Sequence, residues 1–321
     1  EAEYHTLMLS LPNLPDPDLV PGGKEHNEPL RYYGEPHQFA FPPKHHVDLC
    51  LDLGLIDYDR GTKLAGSGFW MYQGMGARLE WALLNYFIDT HVADGYEFVL
   101  PPHMLEYQCG ETAGQFPKFA EEVYKIANPT DDRIHYMLPT AEAALASVYR
   151  GEILPEVELP RKFFAYTPCF RREAGSHRAD ERGMVRGHQF NKVEMFQYTR
   201  PEDSDQAFEE LVGKAERLAG DCSAAMARTY DIEIQIPSMN GYKEVSSVSN
   251  ARDYQARRGN IRFRREATGK PEFVHTLNGS GLATSRIFPA MVEQNQQADG
   301  SVVVPEVLRK YLGGMEVIQK K

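Results

Sequence analysis

Cysteine is scarce: Cys50, Cys109, Cys169 and Cys222 stand far apart in 321 residues, with no CxxC pair. That spacing argues against a disulfide framework and fits reduced thiols in a core or at a surface. The eleven histidines, His45-His46 included, lack metal-ligand spacing, so no structural zinc is expected. No apolar run reaches the roughly 18 residues of a membrane span, and no signal peptide opens the chain. A cytoplasmic protein without membrane contact is the expectation. An excess of positive charge is also missing, since 35 Lys and Arg face 46 Asp and Glu, a net charge of −11. General nucleic-acid coating is thereby excluded, and phosphate contact has to come from a local basic cluster or another segment. Two clusters qualify, Arg171 to Arg186 and Arg257 to Arg265, each equally readable as a solvated loop or an ordinary basic strand. Internal repeats and low-complexity tracts are absent. What remains is 321 residues, 42% hydrophobic, enough for one large core or two small ones.

The most informative stretch is Tyr166 to Glu194, YTPCFRREAGSHRADERGMVRGHQFNKVE. Strand-like runs, Lys162 to Phe170 and His188 to Tyr198, flank a charge-dense loop with Arg171 and Glu173 at its entrance and Arg186 at its exit. An arginine leaving a rigid strand presents a planar fork of donors to a phosphate. A surface hairpin of mixed charge is the competing reading. Further on, PEFVHTLNGSGLATSRIFPAMVEQNQ, Pro271 to Gln296, reads as a strand, a Gly-rich break and a helix with Arg286 in its first turn. Earlier, GARLEWALLNYFIDTHVADGYEFVLPPHML, residues 76 to 105, reads as an amphipathic helix, a turn at Asp94-Gly95 and a strand ending at Pro101-Pro102.

In this order the three stretches resemble motifs 2, 3 and 1 of the class II aminoacyl-tRNA synthetases. Residues around and between them, PTAEAAL (139 to 145), LPRKFFAYTPCFRREAGS (159 to 176), RGHQFNKVEMFQY (186 to 198), GYKEVSSVSNARDYQARRGNIRFRR (241 to 265) and EFVHTLNGSGLA (272 to 283), look like seryl-tRNA synthetase. The resemblance runs from about Pro12 to Gly314. Strands near 97 to 101, 134 to 138, 162 to 170, 188 to 198, 231 to 236, 243 to 248 and 272 to 278 recur with tight turns, which favours an antiparallel sheet. Helices near 76 to 94, 140 to 151, 202 to 218 and 285 to 296 would flank it. The expected fold is therefore α+β, the class II synthetase fold. Residues 1–24, with a short helix and the Pro-rich LPNLPDPDLVPGG, read as a linker or remnant of an N-terminal arm, and 25–321 as the catalytic domain. By resemblance that arm is a tRNA-gripping coiled coil outside this sequence, and the motif 1 helix and strand form a homodimer interface. Near Ala219 a helix runs straight into GDCSAAMARTYDIEIQIP, about a dozen residues shorter than expected of a relative.

The resemblance implies a serine–tRNA ligase that joins L-serine to ATP as seryl-adenylate and passes it to tRNA(Ser). Arg171 and Arg286 are its implied catalytic residues, the first on the α-phosphate and carboxylate, the second on the γ-phosphate or adenine face. ATP would also meet Arg172, Glu173, Val185, Glu244, Val245, Ser246 and Ser247, and Glu244 and Ser247 would hold Mg2+. Serine would meet Thr140, Ala141, Glu142, Arg171, Glu194, Asn278 and Ser280, with Glu142 on the α-amine and Glu194 and Ser280 on the hydroxyl. Each of these has a plain structural alternative, such as a buried pair or an exposed strand glutamate. Three departures from the family pattern stand out: Arg172 in place of a small residue, Ala143-Ala144-Leu145-Ala146 after the TAE motif, and Glu293-Gln294-Asn295-Gln296 after motif 3. They keep open a related ligase that activates serine or a serine-like acid for a non-tRNA acceptor. A non-catalytic paralogue is disfavoured by the intact Arg171, Glu173, Glu244, Ser247 and Arg286.

Overall fold

A computed structural model describes residues 2–19, 22, 29–30, 32, 34–35, 37–173, 183–216, 226–239 and 241–320. Its centre is a six-stranded sheet of β1 (Glu97–Val99), β2 (Arg161–Phe170), β3 (Gln189–Thr199), β4 (Arg228–Ile236), β5 (Gly241–Arg252) and β6 (His275–Ala283). The order across it is β1-β2-β3-β6-β5-β4; β1 and β2 run parallel and every other pair antiparallel. Side chains alternate along a strand, and β3 shows what that does here. Val193 and Met195 enter one apolar core, Phe196 and Tyr198 the other, and Lys192 and Glu194 share the second face.

The first face is covered by α1 (His46–Asp52), α2 (Gly74–Ala93), α3 (Ser204–Glu216) and α4 (Thr284–Gln294). Leu79, Leu83, Leu84 and Phe87 of α2 and Phe208, Leu211 and Val212 of α3 are buried against Phe164, Val193 and Leu277 of the sheet. The start of α2 is fixed by a close approach: a Cβ on Gly76 would lie 1.9 Å from the Leu55 carbonyl oxygen. Gly76→Ala is therefore expected to cost about 3 kcal/mol or more, seen as a lower urea midpoint with an unchanged slope.

Several expectations need correction. Glycines 279 and 281 do not break a strand: β6 continues through them to Ala283, with a register shift against β3 between Ser280 and Ala283. Gly281 is required because His91 Nε2 bonds its carbonyl oxygen at 2.8 Å, leaving no room for a Cβ. Residues 135–137 pair with 104–106 in a separate two-stranded sheet, and 271–273 join 262–264 and 153–155 in a three-stranded one. The helix foreseen over 140 to 151 is α-helical only at Glu142–Leu145. A further helix spans Tyr58–Ala65, its start capped by the Asp57 carboxylate accepting from Arg60 N–H. The Pro-rich N-terminal segment is docked: Asn13 donates to the Ala251 carbonyl, and Asp16 pairs with Arg228 of β4 and Arg252 of β5. The shortened stretch around Ala219 lies outside the described residues.

Candidate active site

The second face of the sheet carries a cleft of about 450 Å³. Arg171 at the exit of β2 and Arg286 in the first turn of α4 both line it, together with Thr140, Glu142, Glu194, Asn278 and Ser280 at one end and Glu173, Val185, Glu244, Val245, Ser246 and Ser247 towards the other. Sequence separations of more than a hundred residues are thus closed by β3 pairing with β2 on one side and β6 on the other, which sets Glu194 opposite both Ala165 and Ser280.

Glu194 is 1% exposed and charge-compensated, with acceptor capacity left over: Lys192 pairs with it, Asn278 Nδ2 donates at 3.1 Å and Thr140 Oγ1 lies at 3.4 Å. Lys192 Nζ also donates to Thr140 Oγ1 at 2.7 Å. Glu142 differs, having only neutral partners. Gln255 Nε2 donates to its Oε1 at 2.8 Å and Gln115 Nε2 reaches Oε2 at 3.4 Å. Burial, then the charge of Glu194, pushes the Glu142 carboxyl up to about 7 against the pull of Lys192 and the two amides. This end of the cleft therefore holds one compensated carboxylate, Glu194, and one without a direct cation partner, Glu142.

Arg171 is held rigidly, its Nε donating to the Pro139 carbonyl at 3.2 Å and its guanidinium 5.2 Å over the Phe190 ring. At the other end Glu173 pairs with Arg186. Arg286 donates to the Glu244 carbonyl at 2.6 Å, lies 3.2 Å from Glu244 Oε2, and its Nε reaches the Val185 carbonyl at 3.4 Å. Residues three apart on a regular strand point to opposite faces. Here the register of β5 on β4 shifts between Glu244 and Ser246, so Glu244 and Ser247 come to the same face. The Glu244 side chain is 40% exposed, whereas Ser247 Oγ is buried with no hydrogen-bond partner.

Two expected contacts fall outside the cleft. Arg172 turns away, with NH1 on the Glu121 carbonyl at 2.8 Å, because alternation along the chain sends it opposite to Arg171. The Ala141 methyl is buried in the second core rather than in the cleft wall. In the basic stretch Arg257 to Arg265, two of the five arginines are neutralised, Arg257 by Asp253 and Arg265 by Glu156, Glu202 and Glu272, while Arg258 and Arg264 donate to backbone carbonyls. Of the other stretch, Arg171 and Arg186 line the cleft, while residues 174–182 lie outside the described residues. Sequence reasoning missed Lys192, Gln115 and Gln255; only Lys192 had a signal, its spacing of two from Glu194. His45, His46 and Glu293 do meet, their ligand atoms within 4.8 Å. The Glu293 carboxylate already accepts from His46 N–H and Ser238 N–H at 2.8 Å and lies 2.7 Å from His46 Nδ1 and Ser238 Oγ. Burial raises that carboxyl and these partners outweigh it, so it stays below the ordinary range; the cluster ties α1 to α4.

An antiparallel sheet backed by helices, with two arginines from a hairpin and a helix start facing one cleft, defines a class II tRNA synthetase core. Residues 124–295 match the family described as tRNA synthetase class II core domain (G, H, P, S and T). The chain is 64% identical to "Serine--tRNA ligase 2" of Clostridium acetobutylicum over 98% of its length and 77% of the relative's. The crystal structure of seryl-tRNA synthetase from Pyrococcus horikoshii complexed with ATP aligns with all of the chain and 78% of its own, with a TM-score of 0.93 and 35% identity. The cytoplasmic serine–tRNA ligase from Naegleria fowleri in complex with AMP aligns with all of the chain and 79% of its own, with a TM-score of 0.90 and 30% identity. Within class II, the chain belongs to the serine–tRNA ligase family.

Proposed function

We propose that the protein activates L-serine with ATP and transfers the seryl group to tRNA(Ser). The observation that carries this reading is the gathering of Arg171, Arg286, Glu142 and Glu194 on the walls of one cleft. The serine ammonium goes to Glu142, the carboxylate without a cation, and the serine hydroxyl to Glu194 and Ser280. Arg171 holds both the serine carboxylate and the α-phosphate, which aligns nucleophile and electrophile. A carboxylate oxygen attacks the α-phosphorus, the bond to the bridging oxygen of the β-phosphate breaks, and pyrophosphate leaves. Arg171 neutralises charge on the α-phosphate as the bonds exchange, while Arg286 holds the far side of the nucleotide. Glu173 and Val185 receive the adenine. The terminal ribose hydroxyl of the tRNA then attacks the adenylate carbonyl carbon, and AMP departs.

Glu244 and Ser247 fit a hard cation that keeps several waters, since they offer a half-exposed carboxylate and an orphaned hydroxyl on one face. When bound, Mg2+ would neutralise phosphate charge. An incoming triphosphate competes with Glu244 for Arg286, freeing the carboxylate as the nucleotide binds. The motif 1 helix and strand serve as the homodimer face, supported by the exposed Trp81, Phe98 and Leu100. A cytoplasmic location fits Cys50, Cys109 and Cys169, all unpaired, and no described helix is long and apolar enough to cross a membrane.

Serine-dependent ATP–pyrophosphate exchange tests the reading, followed by charging of tRNA with labelled serine. Serine should exceed alanine by about 10⁴-fold in kcat/KM, because alanine leaves the buried polar groups around Glu194 unpaired. Equal turnover of the two amino acids would refute the pocket assignment, and absence of exchange with any amino acid would refute the activity.

A further inference from the structure

Directly behind the cleft, on the helix-covered face of the sheet, lies an acid that the proposed chemistry does not use. Glu80 of α2 is 3% exposed. Its Oε1 accepts from Asn191 Nδ2 of β3 at 2.7 Å and from Thr284 Oγ1, the first residue of α4, at 2.6 Å. Its Oε2 is buried without a partner. The Asn191 amide is oriented by Tyr166, whose hydroxyl donates to Asn191 Oδ1 at 3.2 Å, so the nitrogen faces Glu80. Asn191 immediately precedes Lys192 and Thr284 stands two residues before Arg286. One carboxyl oxygen thus joins the strand carrying Lys192 and Glu194 to the helix carrying Arg286.

We propose that Glu80 is a positioning residue of this site, fixing the serine half against the nucleotide half through Asn191 and Thr284. The proposal rests on the activity stated above. Strand and helix also meet directly, with Thr284 Oγ1 3.2 Å from the Asn191 carbonyl, and Glu80 adds the bonds that fix their spacing, which matters because misplacement by fractions of an ångström is costly in an in-line displacement. A structural buried acid would ordinarily be paired with a cation. Here no cation among the described residues is close enough to lower it, and burial pushes the carboxyl up to about 7 although Asn191, Thr284 and Tyr72 pull the other way. The titratable groups facing it are the phenols of Tyr72 on the short strand Met71–Tyr72 and Tyr166 on β2, both raised by burial and then by the Glu80 charge, so both neutral. Below about pH 7 the carboxyl is therefore mainly protonated, with Oε1 as acceptor. Ionisation places a charge in a buried pocket where the described residues offer neutral donors and no cation.

The test compares the unmutated protein with the Glu80→Gln and Glu80→Leu variants in pyrophosphate exchange at saturating serine and ATP. The leucine variant should lose about tenfold or more in kcat with KM for both substrates within about threefold. The glutamine variant, whose carbonyl still accepts from Asn191 and Thr284, should stay within about threefold of the unmutated rate at about pH 6.5. Above about pH 7 the unmutated rate should fall relative to that of the glutamine variant, which has nothing to titrate. If the leucine variant does not fold, Thr284→Val, which removes one donor without changing volume, should lower kcat by about threefold or more. A leucine variant within about twofold of the unmutated rate, a glutamine variant as impaired as leucine, or a rate ratio that stays constant with pH overturns the proposal. So does a Thr284→Val variant of unchanged kcat, where it stands in for an unfolded leucine variant. Loss of serine-dependent exchange in the unmutated protein refutes the activity itself, a separate result.

Discussion

Arg171→Ala is expected to lower serine-dependent ATP–pyrophosphate exchange by about 10³-fold or more in kcat/KM while leaving the melting temperature nearly unchanged. The size follows from position. Arg171 leaves β2 at the point where its backbone N–H bonds the His188 carbonyl at 2.9 Å, and His188 Nδ1 lies 2.9 Å from the Arg171 carbonyl. With Nε on Pro139 and the ring of Phe190 beneath, the guanidinium is held with its terminal nitrogens available to the cleft. Little reorganisation is needed when charge develops on the α-phosphate, which is the condition for a large electrostatic contribution. Arg171→Lys should rescue poorly, because an ammonium cannot bridge two oxygens in the plane of a fork or stack on Phe190 in the same way. A loss smaller than about tenfold in the alanine variant would remove Arg171 from the chemistry.

Local pattern placed the two arginines, one at a strand exit and one at a helix start, whereas Glu142, Glu194 and Glu244 were implied by the family resemblance alone and have no local signal that separates them from ordinary strand or helix glutamates. Strand alternation also placed information that went unread. Lys192 and Glu194, two apart on β3, must share a face, and the structure pairs them. The same rule turns Arg172 away from Arg171, although a charge next to an implied phosphate ligand invites the opposite reading. What no local signal could supply is contact made by folding. Gln255 meets Glu142 across 113 residues, and Arg265 is neutralised by Glu202 and Glu156, 63 and 109 residues away. The β5 bulge that brings Glu244 and Ser247 to one face was likewise invisible, since bulges depend on the partner strand as much as on the bulged one. Glycines 279 and 281 misled for a physical reason: glycine marks a turn in most sequences but marks close approach when a neighbour such as His91 occupies the space of its side chain.

Glu142 carries the second large effect, and its sign can be worked out. An ammonium is bound by the carboxylate and not by the neutral acid, yet burial and the Glu194 charge raise this carboxyl to about 7. Serine must therefore drive ionisation below that value, releasing a proton on binding. KM for serine should rise by about tenfold for each pH unit below 7 and flatten above it, with KM for ATP much less affected. Glu142→Gln should raise KM for serine by about 10²-fold and remove its dependence on pH, because an amide neither titrates nor neutralises an ammonium. The same variant should be the more stable protein in alkali. The folded value lies above the 4.5 of an unfolded glutamate, so the contribution of the protonated group is complete below pH 4.5 and is lost as pH rises through about 7. Above that pH the unmutated fold carries an uncompensated buried charge that the glutamine variant lacks, a difference of up to about 3 kcal/mol. Urea denaturation at about pH 5 and about pH 8.5, beside serine titrations at the same values, separates this account from simple loss of a contact. A variant that is weaker in binding but no more stable at high pH would show that Glu142 is not the strained, cation-seeking acid of the cleft.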